Sequence, residues 1–318
     1  MNDGEKISRR GFIKRLGGMA LAASPVASLL ASPAPAHAVG GERAPRITIL
    51  HTNDVHSHID PFPDSDSKYA GLGGYARRQA YIDSVIATEG ADNVLVFECG
   101  DMFQGTPYYN FFKGQLEMQL MNRMHVDAVT IGNHEFDNGV EGLCDCMETA
   151  TFPFISSNYK FTDRRGSHLV KPYSVFRRGG VRVGVFGLGC RLAGLVAASS
   201  CAGVEFADLV PTAQAMVDLL RKREECQLVI ALTHIGYDNA IGEECDTWLA
   251  KRTSGIDMIL GGHSHTFLPH PTIETNADGG TVLINQVGFG GINVGRIVVG
   301  ETPSGSLSWL KSDNATMA

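Results

Sequence analysis

The sequence has no excess of positive charge. It carries 27 lysines and arginines against 34 aspartates and glutamates, a formal net charge of −7 over 318 residues. A general nucleic-acid binder held by phosphate contacts needs the opposite balance, so that class is excluded. There is no internal repeat and no second composition regime. With 43% hydrophobic and 19% charged residues, the chain is neither disordered nor fibrous. No apolar run is long enough, free of Gly, Ser and Pro, to make a comfortable membrane span. The cysteines lack a zinc-ribbon pattern: Cys144-x-Cys146 has no second pair at the right spacing. Their number, seven, is odd, so at least one thiol is free or pairs between chains. What the chain has in quantity is glycine, 37 residues, which implies many tight loops and room for function on them.

The N-terminus reads as an address. Ser8-Arg9-Arg10-Gly11-Phe12-Ile13-Lys14 precedes a weakly apolar run from Leu16 to about Ala31, and Ala36-His37-Ala38 closes the segment. A charged start, a short apolar stretch and an A-x-A end make a signal peptide. Its paired arginines resemble the twin-arginine signal, which exports folded cargo. The expectation is a signal peptide over 1–38, cleavage after Ala38, and a periplasmic or secreted product. The twin-arginine translocase is the export partner. No Cys lies near the cleavage point, so no lipid anchor is expected. The mature chain of 280 residues would carry a net −10, which offers no basic patch to nucleic acid or membrane. Folding in a reducing cytoplasm implies no obligatory disulfide framework.

Short apolar or β-branched runs recur at Arg46–His51, Asn93–Phe97, Asp127–Ile131, Val181–Leu188, Gln227–Thr233, Ile256–Leu260, Thr281–Gln286 and Val294–Val299. Several are nearly continuous, the pattern of strands buried on both faces. Helix-period segments lie between them at Tyr75–Ala87, Leu116–Met124, Val140–Thr149 and Pro211–Cys226, with Pro211 suited to a first helical turn. Alternation of the two predicts a layered α/β core. The stretch from Thr281 onward reads as strand and turn, so hairpins are expected to close one sheet. One domain over about 42–312 is the simplest organisation.

Ligand-type residues fall where those strands end. Asn53-Asp54-Val55-His56 follows the first, Gly100-Asp101-Met102-Phe103-Gln104-Gly105 the second, and Gly132-Asn133-His134-Glu135-Phe136-Asp137 the third. His234 follows Val229–Thr233, and Gly261-Gly262-His263-Ser264-His265 follows Met258–Leu260. Strand ends are where α/β folds place their sites, and adjacent glycines let backbone and ligands approach closely. Each signal alone is weak: a strand-end His is more often structural, and Asp137 could simply cap the helix beginning near Gly139. Their conjunction is strong. Seven such residues suffice for two divalent-metal sites sharing a carboxylate.

These blocks resemble the calcineurin-like metallophosphoesterases, specifically the 5′-nucleotidase branch. Its motifs run D-x-H, G-D-x-x-Q-G, G-N-H-E-F-D, a lone His, and G-H-x-H or G-H-x-Q. The resemblance covers most of residues 46–300. It implies an α/β fold, a four-layer α/β/β/α sandwich with two mixed β-sheets and metals at the strand ends. Carried over by position, one cation would be held by Asp54, His56, Asp101 and His265. The other would be held by Asp101, Asn133, His234 and His263, with Asp101 bridging. His265 stands where some relatives have Gln or Asn. The resemblance also implies that His134, oriented by Asp137, assists catalysis, and that Asn133 and His134 touch the phosphoryl group. His51, His58, His125, His168 and His270 receive no role.

The implied activity is an exported phosphomonoester hydrolase of small phosphate esters, nucleotides foremost, in which a metal-bridging hydroxide attacks phosphorus in line. His134 would steady the developing charge or protonate the leaving alkoxide, with Asp137 raising its pKa. Mixed O/N ligands suit Zn, Mn, Fe or Co. Two alternatives share the site: a phosphodiesterase, cyclic-nucleotide hydrolase or thiosulfohydrolase-like enzyme, and a non-catalytic metal-binding relative. Many exported members of the branch carry a second, C-terminal domain that holds the base. None is expected here after the last expected strands, so nucleotide specificity is not expected to transfer and a partner chain could supply it.

Overall fold

The structure is a computed structural model that describes Ala44, residues 46–240 and residues 243–318. The expected signal peptide lies outside the described residues. Among the described residues there are fifteen strands: β1 (Arg46–Thr52), β2 (Val94–Glu98), β3 (Ala128–Thr130), β4 (Phe154–Ile155), β5 (Tyr159–Phe161), β6 (Val170–Lys171), β7 (Tyr173–Arg178), β8 (Val181–Gly189), β9 (Val204–Phe206), β10 (Leu228–His234), β11 (Met258–Leu260), β12 (Thr272–Thr275), β13 (Thr281–Asn285), β14 (Asn293–Glu301) and β15 (Leu307–Thr316). The helices are α1 (Tyr75–Glu89), α2 (Pro107–Phe112), α3 (Gln115–Arg123), α4 (Gly139–Thr149), α5 (Arg164–Leu169), α6 (Leu209–Asp218) and α7 (Asp246–Arg252).

The first sheet has the order β15-β14-β1-β2-β3-β4-β6 and the second β12-β13-β11-β10-β8-β7, with β5 and β9 as a separate pair. Both large sheets are mixed. In the first, β1 to β4 and β6 run parallel while β14 and β15 are antiparallel. In the second, β8, β10, β11 and β13 run parallel between antiparallel edges.

Side-chain alternation with period 2 explains the layering. In β2, Leu95 and Phe97 face inward, and in β10 Leu228, Ile230 and Leu232 do the same, forming one core between the sheets. The intervening Val94 and Val96 instead pack on the outer helices with Ile82, Met118, Met121 and Leu143. Val229 and Ala231 pack against Ala213, Val217 and Leu249 of α6 and α7. The result is the expected four-layer α/β/β/α sandwich. Each fully buried aliphatic or aromatic side chain contributes about 1.5–3 kcal/mol, so the central core dominates the alignment of the two sheets.

Three expectations are corrected. The final strands do not close one sheet: β13 joins the second, while the β14–β15 hairpin forms the edge of the first. β15 runs through Thr316, past the expected limit at 312, and Met317 bonds back to Ile292. The helix expected over Pro211–Cys226 starts at Leu209 after Asp208, so Pro211 sits third, and its end widens into a π turn over Leu219–Arg223.

Candidate metal centre

The parallel strands of both sheets deliver their C-terminal ends to one edge of the sandwich. β1, β2 and β3 lead into Asp54, Asp101 and Asn133; β10 ends on His234, and β11 leads into His263. Backbone hydrogen bonds knit the loops together: Asp54 N–H to Gly100 O (3.0 Å), His56 N–H to Asp101 O (3.1 Å) and Gly236 N–H to Gly262 O (3.0 Å).

The expected ligands converge. The donor atoms of Asp54, His56 and His265 lie within 4.8 Å of one another, as do those of Asp101, His234 and His263. A third group of the same size joins His56, Asp101 and His134. Asp54 Oδ1 lies 3.4 Å from His265 Nε2 and 3.9 Å from both His56 Nε2 and His234 Nε2. His56 Nε2 and His265 Nε2 approach to 2.9 Å. Asn133 is buried beside Asp101, and its Oδ1 faces Cys190 Sγ at 3.7 Å.

The donors fit cations. His234 Nδ1 meets Cys99 O at 2.8 Å, and His56 Nδ1 meets Phe103 O at 3.2 Å and Gln104 O at 3.1 Å. Carbonyls only accept, so each ring donates from Nδ1 and turns Nε2 toward the cluster. His234 is fully buried; its Nε2 lies 3.0 Å from Asp101 Oδ2 without forming a well-aligned hydrogen bond. Burial opposes charging this ring, yet Asp101 and Asp54 outweigh it and push its pKa up to about 10. Burial and the positive His234 drive His263 down to about 4. Such opposed shifts mark a cluster short of positive charge at its centre.

Backbone geometry is as unusual as the side chains. Asp54, His56, Asp101, His263 and His265 all adopt left-handed conformations, with φ of 52°, 46°, 54°, 80° and 52°. Each costs a non-glycine residue about 1–3 kcal/mol and persists only where the surroundings over-determine it. The surroundings here are tight. A Cβ on Gly132 would sit 2.3 Å from Asp101 Oδ1, and one on Gly262 would sit 2.8 Å from Asp54 Oδ2.

At the open side of the cluster, His134 Nδ1 pairs with Asp137 Oδ2 at 2.8 Å, and the His134 amide donates to Asp101 Oδ1 at 2.8 Å. The hydrogen bond to Asp137 outweighs partial burial and raises His134 to about 8, the direction expected from the sequence. Asp137 does not cap the following helix: α4 begins at Gly139 after Asn138, with no side-chain cap.

Some site residues escaped the sequence reading. Glu135 is buried, and its carboxylate accepts from the amides of Asp101 (2.9 Å), Met102 (2.8 Å) and Gly132 (2.6 Å), pinning two ligand loops together. Burial and the nearby Asp101 hold its pKa above the usual carboxylate range. Asn53 donates to Asp54 Oδ2 (2.7 Å) and Gly288 O (2.6 Å), and Phe289 stacks on the His265 ring at 5.2 Å. A charged residue inside the His134–Phe136 run was the available signal for Glu135; Phe289 had none. Of the unassigned histidines, His51 is buried between the sheets and accepts from Asn285 Nδ2 at 2.8 Å.

A four-layer sandwich with a carboxylate–imidazole cluster across the ends of both sheets defines an α/β scaffold with a candidate metal centre. The sequence profile of the calcineurin-like phosphoesterases matches residues 47–267. The chain belongs to that family. It is 34% identical to human 5′-nucleotidase over 261 residues, covering 76% of this chain and 44% of that protein. Among solved structures it resembles a 5′-nucleotidase precursor from Thermus thermophilus, at 34% identity and a TM-score of 0.76, covering 86% of this chain and 54% of that one. A calcineurin-like phosphoesterase from Bacillus subtilis matches at 25% identity and a TM-score of 0.67, covering 86% of this chain and 92% of that one. The chain spans about half the length of the curated relatives it matches.

Proposed function

We propose that this protein is a two-metal phosphomonoester hydrolase of the 5′-nucleotidase type. The observation that carries this reading is the pair of donor groups meeting at Asp54 and Asp101, with the buried His234 Nε2 left without a hydrogen-bond partner. Asp54, His56, Asp101 and His265 would hold one divalent cation, and Asp101, Asn133, His234 and His263 the other, with Asp101 shared. Zn, Mn, Fe or Co suit these ligands. When bound, the cations supply positive charge to the phosphoryl oxygens and acidify water for attack on phosphorus.

The protein's own groups do the rest. Glu135 and Asn53 hold the ligand loops in register. The His134 imidazolium, kept charged by Asp137, lies beside Asp101 where a phosphoryl group would sit. From there it offsets charge on the phosphoryl oxygens and hands a proton to the departing alkoxide. Export through the twin-arginine translocase, with cleavage after Ala38 and delivery to the periplasm, belongs to the same proposal. Folding before export lets the cytoplasm choose the metal, which favours Mn or Fe.

The test is a phosphate-release panel with AMP, bis-p-nitrophenyl phosphate and 2′,3′-cyclic AMP, run with elemental analysis of protein purified from the exported fraction. Turnover of AMP with two metals per chain is expected. Turnover of only the diesters reassigns the substrate class, metal without any turnover overturns the hydrolase reading, and zinc as the sole metal removes the Mn or Fe preference.

A further inference from the structure

Next to the loops of His234 and His263 lies a buried chain of polar side chains that no sequence motif announced. Asp246, the first residue of α7, is fully buried, as are Thr233 and Gln286. Asp246 Oδ1 accepts from the Thr233 hydroxyl at 2.6 Å, and Asp246 Oδ2 accepts from Gln286 Nε2 at 2.8 Å. Gln286 Nε2 also donates to Gly262 O at 3.0 Å, and Gln286 Oε1 accepts from the Ser264 hydroxyl at 3.0 Å. Ser264 Oγ in turn accepts from the Tyr237 amide at 3.0 Å, while the Asp246 amide donates to Gly236 O at 2.8 Å. Space for the carboxylate comes from Gly261, on which a Cβ would collide with Asp246 Oδ2.

We propose that Asp246 is a positioning residue for the second expected cation, setting His234 against His263 through these two arms. This rests on the metal-centre reading above and deepens it. One arm ends on Thr233, immediately before His234; the other ends on Gly262 and Ser264, which flank His263. One carboxylate thereby ties down the chain at two ligands delivered by different strands, β10 and β11. His263 holds a left-handed φ of 80°, which a non-glycine residue keeps only where its surroundings over-determine it. The hydrogen bonds on both sides of it supply that constraint. The Asp246 carboxylate is sealed from solvent and its bonds run to Thr233 and Gln286, so it acts on the ligands through their loops. Burial outweighs those two bonds and pushes its pKa up to about 7. An apolar side chain of similar volume would sit there at lower cost, so packing alone does not account for a carboxyl at this place.

The test is Mn²⁺ binding to the metal-free protein, followed by EPR of the free ion, in Asp246→Ala, Asp246→Asn and Thr233→Val variants. The wild type is expected to take up two ions per chain. In Asp246→Ala one binding step should weaken roughly 10–100-fold, as loss of a group that orients ligands implies, while the other stays unchanged. Asp246→Asn keeps an acceptor for Thr233 but turns an N–H toward Gln286 Nε2, and Thr233→Val removes one arm at nearly constant volume. Both should weaken the same step by less. Melting of the metal-free variants separates this from a merely structural role: a lowered melting temperature with both steps weakened alike, or with neither changed, overturns the inference. Should Asp246→Ala fail to fold, the two milder variants decide by the same criterion. Phosphate release is read separately. Two ions bound without turnover, one of them still dependent on Asp246, would sink the hydrolase reading and leave the positioning role standing. A wild type that binds no Mn²⁺ overturns the metal centre and this inference together.

Discussion

The two sheets bring different chemistry to the same edge. The first contributes the carboxylates Asp54 and Asp101, the amide of Asn133 and the His134–Asp137 pair; the second contributes only imidazoles, His234, His263 and His265. Both anionic ligands therefore sit on the first half of the sandwich, together with His56 and the amide of Asn133, and the second half supplies imidazoles alone. Neither half has a complete donor set, so the centre exists only where the inter-sheet core holds the two sheets in register. The contrast also explains the strain: chains leaving strands of separate sheets must turn inward at once, which puts five ligand residues into left-handed backbone.

The sharpest break in this arrangement is Asp101→Ala, which removes the carboxylate common to both expected sites. Phosphate release should fall to background, with elemental analysis showing loss of both metals; near wild-type turnover would falsify the shared-carboxylate centre. His134→Ala acts on the first sheet alone and removes none of the seven proposed ligands. Its kcat should drop by about 10²–10⁴-fold while metal content is retained, and Asp137→Asn should produce a smaller fall of roughly 10–100-fold. On the second sheet, His265→Asn should lose less activity than His265→Ala. Asn keeps a donor and tolerates the left-handed φ of 52° that alanine resists. The reverse order in kcat/KM would show that His265 is not a ligand.

Two further measurements probe the coupling of the sheets. Chelation should lower the melting temperature, since cations bound by ligands from both sheets stabilise by about 2.7 kcal/mol at a hundredfold excess over Kd. A melting curve indifferent to chelator would mean that the sheets need no such tie. The second is a pH dependence centred on His51, which bridges β1 to Asn285 in the other sheet. Burial lowers its pKa from 6.5 to about 3, so the folded chain keeps it neutral while the unfolded chain takes up a proton. Stability is therefore undiminished above pH 6.5 and is lost as pH falls from there toward 3, by up to about 1.4 kcal/mol per unit. Relative to His51→Asn, wild type should weaken more steeply across that window in denaturant titrations; parallel curves would remove His51 from the account.

Local pattern alone located the eight principal strands to within a few residues, because strands buried on both faces must be continuously apolar whatever they pack against. The strands it missed are short or edge elements such as β4, β6 and β12. A two-residue ladder such as β4 with β6 is defined by its neighbours rather than by its own composition. Pro211 misled because its fixed φ suits any position in a first turn, and only the packing of Leu209 decided where α6 begins.

The sequence by itself determined the chemistry available: which residue types can bind a cation, and that they follow strands, since both depend on neighbours close in the chain. Tertiary structure alone decided how closely those donors approach one another, that Glu135 pins two ligand loops, and that Phe289 stacks on the His265 ring. Those relations join residues up to 209 positions apart, as in Asp54 with His263, and no local pattern encodes a distance across two packed sheets.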